Sequence, residues 1–285
     1  MISLFVSLRY YFGHSHGGSN DPINHYPVWV IWSAILLPLV VLVIYIIYQK
    51  QKYDLKALEN GVFKIDSPYN RNTLFEANLC LAIVMIKKDK VDVGLKLNLL
   101  RKYFSENFSE NYSLFDDRLS EFYNGKSIKI SSVALWLNKN LTDYSTKSHI
   151  LYFLAKISMI DGEIVESEYL LLKELTYLLK LEESELDKVL NTYKYYETKR
   201  KQEEDQKRKN QTTSGTYTKS LLDLAFKVLG LEKGVNIEEV KSAYRKLAMV
   251  HHPDKFSTES EGQQKIAHER FVQINEAYEL VLKSF

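Results

Sequence analysis

The chain has 285 residues, of which 45% are hydrophobic and 26% charged, so it is long enough for two globular domains and too apolar to be disordered. Lys plus Arg number 38 and Asp plus Glu 36, and this balance argues against a protein that binds nucleic acid through bulk charge. Only 11 Gly and 5 Pro disfavour turn-rich β folds, so we expect an all-α protein. The single cysteine, Cys80, excludes an internal disulfide, and its apolar neighbours indicate a buried thiol rather than a nucleophile.

An uncharged run between Asp21 and Lys50 includes the segment PVWVIWSAILLPLVVLVIYIIY, which begins at Pro27. A helix needs roughly 20 apolar residues to cross the hydrocarbon of a bilayer. We therefore predict one transmembrane helix over residues 27–49, with the lipid bilayer as its partner. A buried helix of a soluble domain is the alternative interpretation.

The charges on either side of this run predict its orientation. Lysines follow its C-terminal end, whereas the N-terminal side has only Arg9, opposed by Asp21. The positive-inside rule then places a short tail, residues 1–26, outside and residues 50–285 in the cytoplasm. Three histidines of the tail could be metal ligands, but a solvated tail explains them better. They are His14, His16 and His25.

From Arg71 to Tyr196 the sequence shows successive amphipathic helical patterns and no convincing strand pattern, which predicts a helical bundle over residues 71–196. The segment LAIVMIKKDKV from Leu81 aligns loosely with LAKISMIDGEI from Leu154, and an amphipathic helix follows each. This repeat predicts two related helical hairpins.

The second hairpin contains an acidic turn, DGEI from Asp161, followed by Glu166 and Glu168. This pattern resembles TerB-like domains, whose acidic turn is associated with metal binding, and the resemblance makes Asp161 and Glu163 candidate ligands. In the first hairpin Asp89 has lysines beside it, which oppose a cation. A solvated turn before an acidic helix start explains the same residues. We therefore predict neither a metal nor a cofactor.

Residues 197–216 read ETKRKQEEDQKRKNQTTSGT, with almost no apolar side chain. Such a segment buries too little surface to offset its ordering entropy. It predicts a charged linker that is partly helical at most. Contact of its basic residues with anionic lipid is the alternative, although acidic residues interrupt the basic run.

Three helical patterns follow in residues 217–285. The first, from Leu221 to Leu229, is closed by Gly230. The second begins at Asn236, a good N-cap, with Glu239 placed to complete a capping box.

The second helix ends at the sequence His251-His252-Pro253-Asp254. Proline cannot continue a helix and disfavours the helical conformation of the residue before it, so a bend must form here. A third helix has an apolar stripe that suits the second. We predict an antiparallel hairpin with the His-Pro-Asp turn near its tip.

The segments AFKVLGL, VKSAYRKLAMVHHPDK and ERFVQINEAYELV closely resemble the J-domain of DnaJ-type co-chaperones, over residues 217–285. The resemblance implies that the second helix and the turn dock on a DnaK-type Hsp70 and accelerate its ATP hydrolysis. It assigns this contact to His252, Pro253, Asp254, Lys241, Tyr244 and Arg245. Alternatively, Tyr244 is mainly a core residue, and Lys241 and Arg245 are a solvated face.

The chain would contain, in order, a transmembrane helix, a TerB-like bundle, a linker and a J-domain. This order is similar to that of membrane-anchored DnaJ-like proteins of bacterial inner membranes. It implies a single-pass, stress-related co-chaperone that recruits a cytoplasmic Hsp70.

No nucleophile or phosphate loop accompanies His252, so we expect no catalytic residue and no enzyme. Charges balance within residues 217–285, so no nucleic-acid partner is expected. A homo-dimer is left open. The alternatives are a metal-responsive envelope-stress regulator and a membrane scaffold, each acting through the bundle.

Overall fold

A computed structural model of the chain describes residues 35–49, 62–126, 128–207 and 214–285. The chain divides into two compact units, Met1–Gln51 and Lys52–Phe285. The described part of the first unit is one helix, α1, over residues 35–49, with every residue exposed. Among the described residues there is no helix with the length and apolar character that a membrane crossing requires. The predicted tail 1–26 and the first part of the predicted span, 27–34, lie outside the described residues.

All regular elements described in the second unit are helical, with no β-strand among the described residues, and the all-α prediction is confirmed. The α-helices are α2 (Arg71–Lys88), α3 (Val93–Asn107), α4 (Phe115–Asn124), α5 (Ile130–Asn140), α6 (Tyr144–Ser158), α7 (Glu166–Leu178), α8 (Glu183–Lys207), α9 (Ser214–Val228), α10 (Ile237–Val250) and α11 (Glu261–Leu282), and two 3₁₀ helices lie at Ser109–Leu114 and Pro253–Phe256.

Helices α2 to α8 enclose the larger of two hydrophobic cores, here called the bundle core. Helices α2 and α6 are buried on most sides, as expected of helices covered by several neighbours. Aromatic rings fill the space between them and α3, with Phe104 packed against Phe75 and Phe153. Cys80 is fully buried here, and burial raises the pKa of its thiol well above the ordinary value. The expectation of a buried thiol is confirmed.

The two segments of the predicted repeat each form a helix, a turn and a second helix. Helices α2 and α3 form the first pair, and α6 and α7 form the second. Side-chain N-caps start the first helix of each pair, because Asn70 accepts from the N–H of Thr73 at 2.9 Å and Asp143 accepts from that of Thr146 at 2.8 Å. In the second turn Gly162 has φ +91°, which favours glycine.

Helix α8 continues to Lys207, so the first half of the predicted linker is helical. Two kinds of contact stabilise this extension. Arg200 pairs with Glu197 and Glu204 along the helix surface, and Lys199 pairs with Glu276 of α11 at 2.8 Å. The second contact joins residues far apart in sequence, which the composition of the segment does not reveal. Residues 208–213 of the predicted linker lie outside the described part.

Helices α9, α10 and α11 enclose a second, smaller core, to which α8 contributes Tyr195. The apolar stripes of α10 and α11 face each other, with Val240 and Ile274 fully buried. The rings of Tyr244 and Tyr278 stack at 4.0 Å between centroids. The predicted helical hairpin is therefore present, and its tip is the His-Pro-Asp turn.

Candidate functional site

The start of α10 is fixed by a capping box. The side chain of Asn236 accepts from the N–H of Glu239, and the carboxylate of Glu239 accepts from the N–H of Asn236, both at 2.9 Å. These reciprocal bonds satisfy donors that a helix start leaves free. The predicted N-cap is confirmed.

One face of α10 points to solvent and carries cations. Arg245 is exposed, and the side chain of Lys241 is 42% exposed and pairs with Glu238 at 3.0 Å. Tyr244 lies beside them, half-buried against Tyr278. The structure therefore brings the three predicted helix residues to one side, with Tyr244 serving both the core and the surface.

A tight turn built around Pro253 follows α10. His252 has φ −63° and ψ 129°, which is extended rather than helical, as predicted for a residue before proline. It caps the 3₁₀ helix Pro253–Phe256, because its Nδ1 accepts from the N–H of Asp254 at 3.3 Å. We call His252-Pro253-Asp254 the corner.

The corner faces solvent. The side chains of His252 and Asp254 are 47% and 91% exposed, and His252 Nδ1 lies 3.6 Å from a carboxylate oxygen of Asp254. The ring of His252 also packs edge-on against Phe271 of α11. An imidazole and a carboxylate thus lie 3.6 Å apart on an exposed bend, where a partner can reach both.

The residue just before the corner lies in the opposite environment. His251 is fully buried and stacks on His149 of α6, with 5.7 Å between ring centroids. Neither ring nitrogen of either histidine has a hydrogen-bond partner. Burial and the nearby Arg270 guanidinium lower the pKa of His149 to about 3 and that of His251 well below its ordinary value, so both rings are neutral.

Helix α11 also packs on the bundle. Arg270 is only 1% exposed; it donates to Thr192 at 2.8 Å and lies over the ring of Tyr152. Glu269 accepts from the hydroxyl of Tyr152 at 3.0 Å and pairs with Lys156. The hairpin is therefore attached to the bundle by its α11 side. This attachment was not predicted, because the sequence pattern of an amphipathic helix gives no sign that a single Arg or His on it is buried.

Two acidic residues of the bundle, Asp89 and Glu168, pair with a buried lysine. Lys96 of α3 is fully buried, and its ammonium contacts Asp89 at 2.8 Å and Glu168 at 3.0 Å. Burial lowers the pKa of Lys96, but the hydrogen bonds to both carboxylates outweigh it, and the net pKa is raised. Asp161 and Glu163 lie apart from this cluster; Asp161 accepts from the N–H of Glu163 at 3.2 Å. Within the described ranges no three His, Cys, Asp or Glu side chains are grouped to hold a metal.

Comparison with known proteins agrees with the geometry of the last three helices. Residues 224–284 match the family model described as DnaJ domain. The fold, the corner and this match together define a J-domain in that part of the chain.

Similar proteins include bacterial DnaJ chaperones. The chain is 46% identical over 59 residues to the chaperone protein DnaJ of Fusobacterium nucleatum subsp. nucleatum and 50% identical over 56 residues to that of Clostridium tetani. These matches cover 21% and 20% of this chain but only 15% and 14% of the relatives. No solved structure gives a significant match.

Proposed function

We propose that the chain is a co-chaperone that recruits a cytoplasmic DnaK-type Hsp70 to a membrane and stimulates its ATP hydrolysis. The observation that carries this proposal is the exposed corner, which lies at the end of a helix with a cationic face inside a J-domain. Two cations on an exposed helix steer association with an acidic surface. A bend whose backbone is restricted by Pro253 loses less entropy on docking than a flexible loop does.

The packing of the hairpin leaves this surface accessible. The bundle contacts His251 and Arg270, whereas the side chains of Lys241 and Asp254 are 42% and 91% exposed and Arg245 is exposed as well. A partner can therefore engage α10 and the corner without displacing the bundle.

The test is steady-state ATP hydrolysis by a DnaK-type Hsp70 in the presence of the full chain in detergent micelles. We expect stimulation by the wild type and little by His252→Gln, which removes the imidazole from the corner. His268→Gln is the matched control, because His268 is an exposed histidine on α11. Equal stimulation by the wild type and His252→Gln would contradict the proposal.

The cationic face is tested by charge reversal. Arg245→Glu should weaken stimulation, and more strongly at low salt, since long-range attraction is screened by ions. Lys227→Glu is the control, because Lys227 is exposed on α9. Equal loss in both variants would assign the effect to net charge.

We also infer that residues 27–49 anchor the chain in a bacterial inner membrane, with residues 50–285 in the cytoplasm and residues 71–196 forming a TerB-like domain. The uncharged run and the lysines after it support the anchor. The anchored chain should resist extraction by alkaline carbonate, and its residues 50–285 should be cleaved by protease only after spheroplasts are opened. Release of the chain into the carbonate supernatant would contradict the anchor.

A further inference from the structure

His149 of the bundle contacts a residue on each side of the corner. Its ring stacks on His251, immediately before the corner, and on Phe256, two residues after it, at 4.5 Å between centroids. His251 and Phe256 are buried, with exposures of 0% and 2%. The exposed corner therefore lies between two buried residues, His251 and Phe256, which both pack on His149.

A second bundle residue holds the end of α10. Ser145 donates its hydroxyl to the carbonyl oxygen of Val250 at 2.8 Å. In a continuing helix this carbonyl would accept from the N–H of Asp254, but that N–H donates to Nδ1 of His252 instead. Ser145 thus supplies a donor to the carbonyl that the corner leaves without a helical partner.

The stack of His149 on His251 requires both rings to be neutral, and the charged groups around the stack favour the neutral form. Around the stack, α11 presents Arg270, α8 presents Lys188, and the turn presents Lys255, while Asp143 at the start of α6 is the acidic group that acts on His149. A proton on either ring would be buried without a hydrogen-bond partner and near these cations. The stack is therefore an apolar contact at neutral pH.

We propose that Ser145 and His149 are positioning residues for the corner, so that the bundle holds both ends of the turn and His252 and Asp254 meet the partner in one arrangement. The expected effect on Hsp70 rests on the proposed co-chaperone function. The contacts of Ser145 and His149 with the turn do not depend on that function.

The experiment measures two quantities on the full chain: hydrogen exchange of the amides in residues 251–257, and the concentration that gives half-maximal stimulation of a DnaK-type Hsp70. His149→Ala removes the shared support. We expect about tenfold faster exchange and a half-maximal concentration raised by roughly three- to tenfold. Ser145→Ala should shift both in the same direction by a smaller factor.

Two further variants separate positioning from general destabilisation. His149→Phe keeps an aromatic ring in the stack and should restore both values towards those of the wild type. Phe122→Ala removes a buried ring of α4 from the bundle core and should leave exchange at the corner unchanged under native conditions.

The inference is overturned if His149→Ala matches the wild type or Phe122→Ala in either measurement. If the wild-type chain does not stimulate Hsp70, the proposed function fails, and the exchange data alone decide whether the bundle positions the corner.

Discussion

The buried ammonium of Lys96 offers a sharp test of the electrostatics of the bundle. Lys96→Met keeps most of the side-chain volume but leaves the carboxylate of Glu168, which is 1% exposed, without its cation. Removing one partner of a buried ion pair costs about 3–5 kcal/mol. For a folded state stable by about 5–15 kcal/mol, this is a large share. The other carboxylate, Asp89, is 13% exposed and can gain water, so Glu168 accounts for most of the cost.

Urea unfolding of the full chain measures this cost in free energy. The second variant to compare is the double substitution Lys96→Met with Glu168→Gln. The double variant replaces the pair by neutral groups and should recover most of the lost stability, because an uncharged pair avoids the desolvation penalty. The reasoning fails if Lys96→Met costs less than about 1 kcal/mol, or if the double variant is no more stable than the single one.

Three more predictions concern the J-domain and its support. Burial and Arg270 depress the pKa of His149 to about 3, against 6.5 ordinarily, so its contribution to stability is present above pH 6.5 and is lost as pH falls towards 3. By pH 5 the protonation of His149 should lower the free energy of unfolding, measured with urea, by about 2 kcal/mol; His149→Phe should remove this part of the pH dependence and leave the part due to His251, and an identical pH profile in that variant would refute the assignment. Asn236→Ala should cost about 1 kcal/mol in the same assay by removing the cap of α10, and an unchanged midpoint would contradict the capping argument. Gly230→Ala should cost about 1–2 kcal/mol, because φ is +72° and the new methyl would lie 2.7 Å from Cε of Lys188; a stabilised variant would show that the turn relaxes freely.

The contacts between the J-domain and the bundle limit the directions from which the proposed partner could approach the corner. A charged linker alone would let the hairpin tumble, whereas Lys199 and Tyr196 of α8 both bind Glu276 of α11. Together with the contacts of Arg270 and Glu269, these bonds hold α11 on the bundle. The bundle therefore sets the direction in which the corner points.

Much of the candidate site follows from local sequence. The cap at Asn236, the end of α10 before Pro253 and the apolar stripe along each of α10 and α11 depend on residues within a few positions of one another, and all three are present. Caps and proline act through hydrogen bonds and steric contacts inside a single turn, so a short window of sequence contains their cause. The assignment of particular residues to Hsp70 contact stays a prediction.

Tertiary packing decided the rest. His149 and His251, or Lys96 and Glu168, are far apart in sequence, and their pairing depends on how whole helices cross. The same polar side chain is inexpensive on a solvated face and costly in a core, because charge and hydrogen bonding are worth far more where water is excluded. The sequence by itself therefore determined the helices and the proline bend. Only the packing of helices against one another determined which His, Arg and Lys side chains are buried, and thereby what supports the corner.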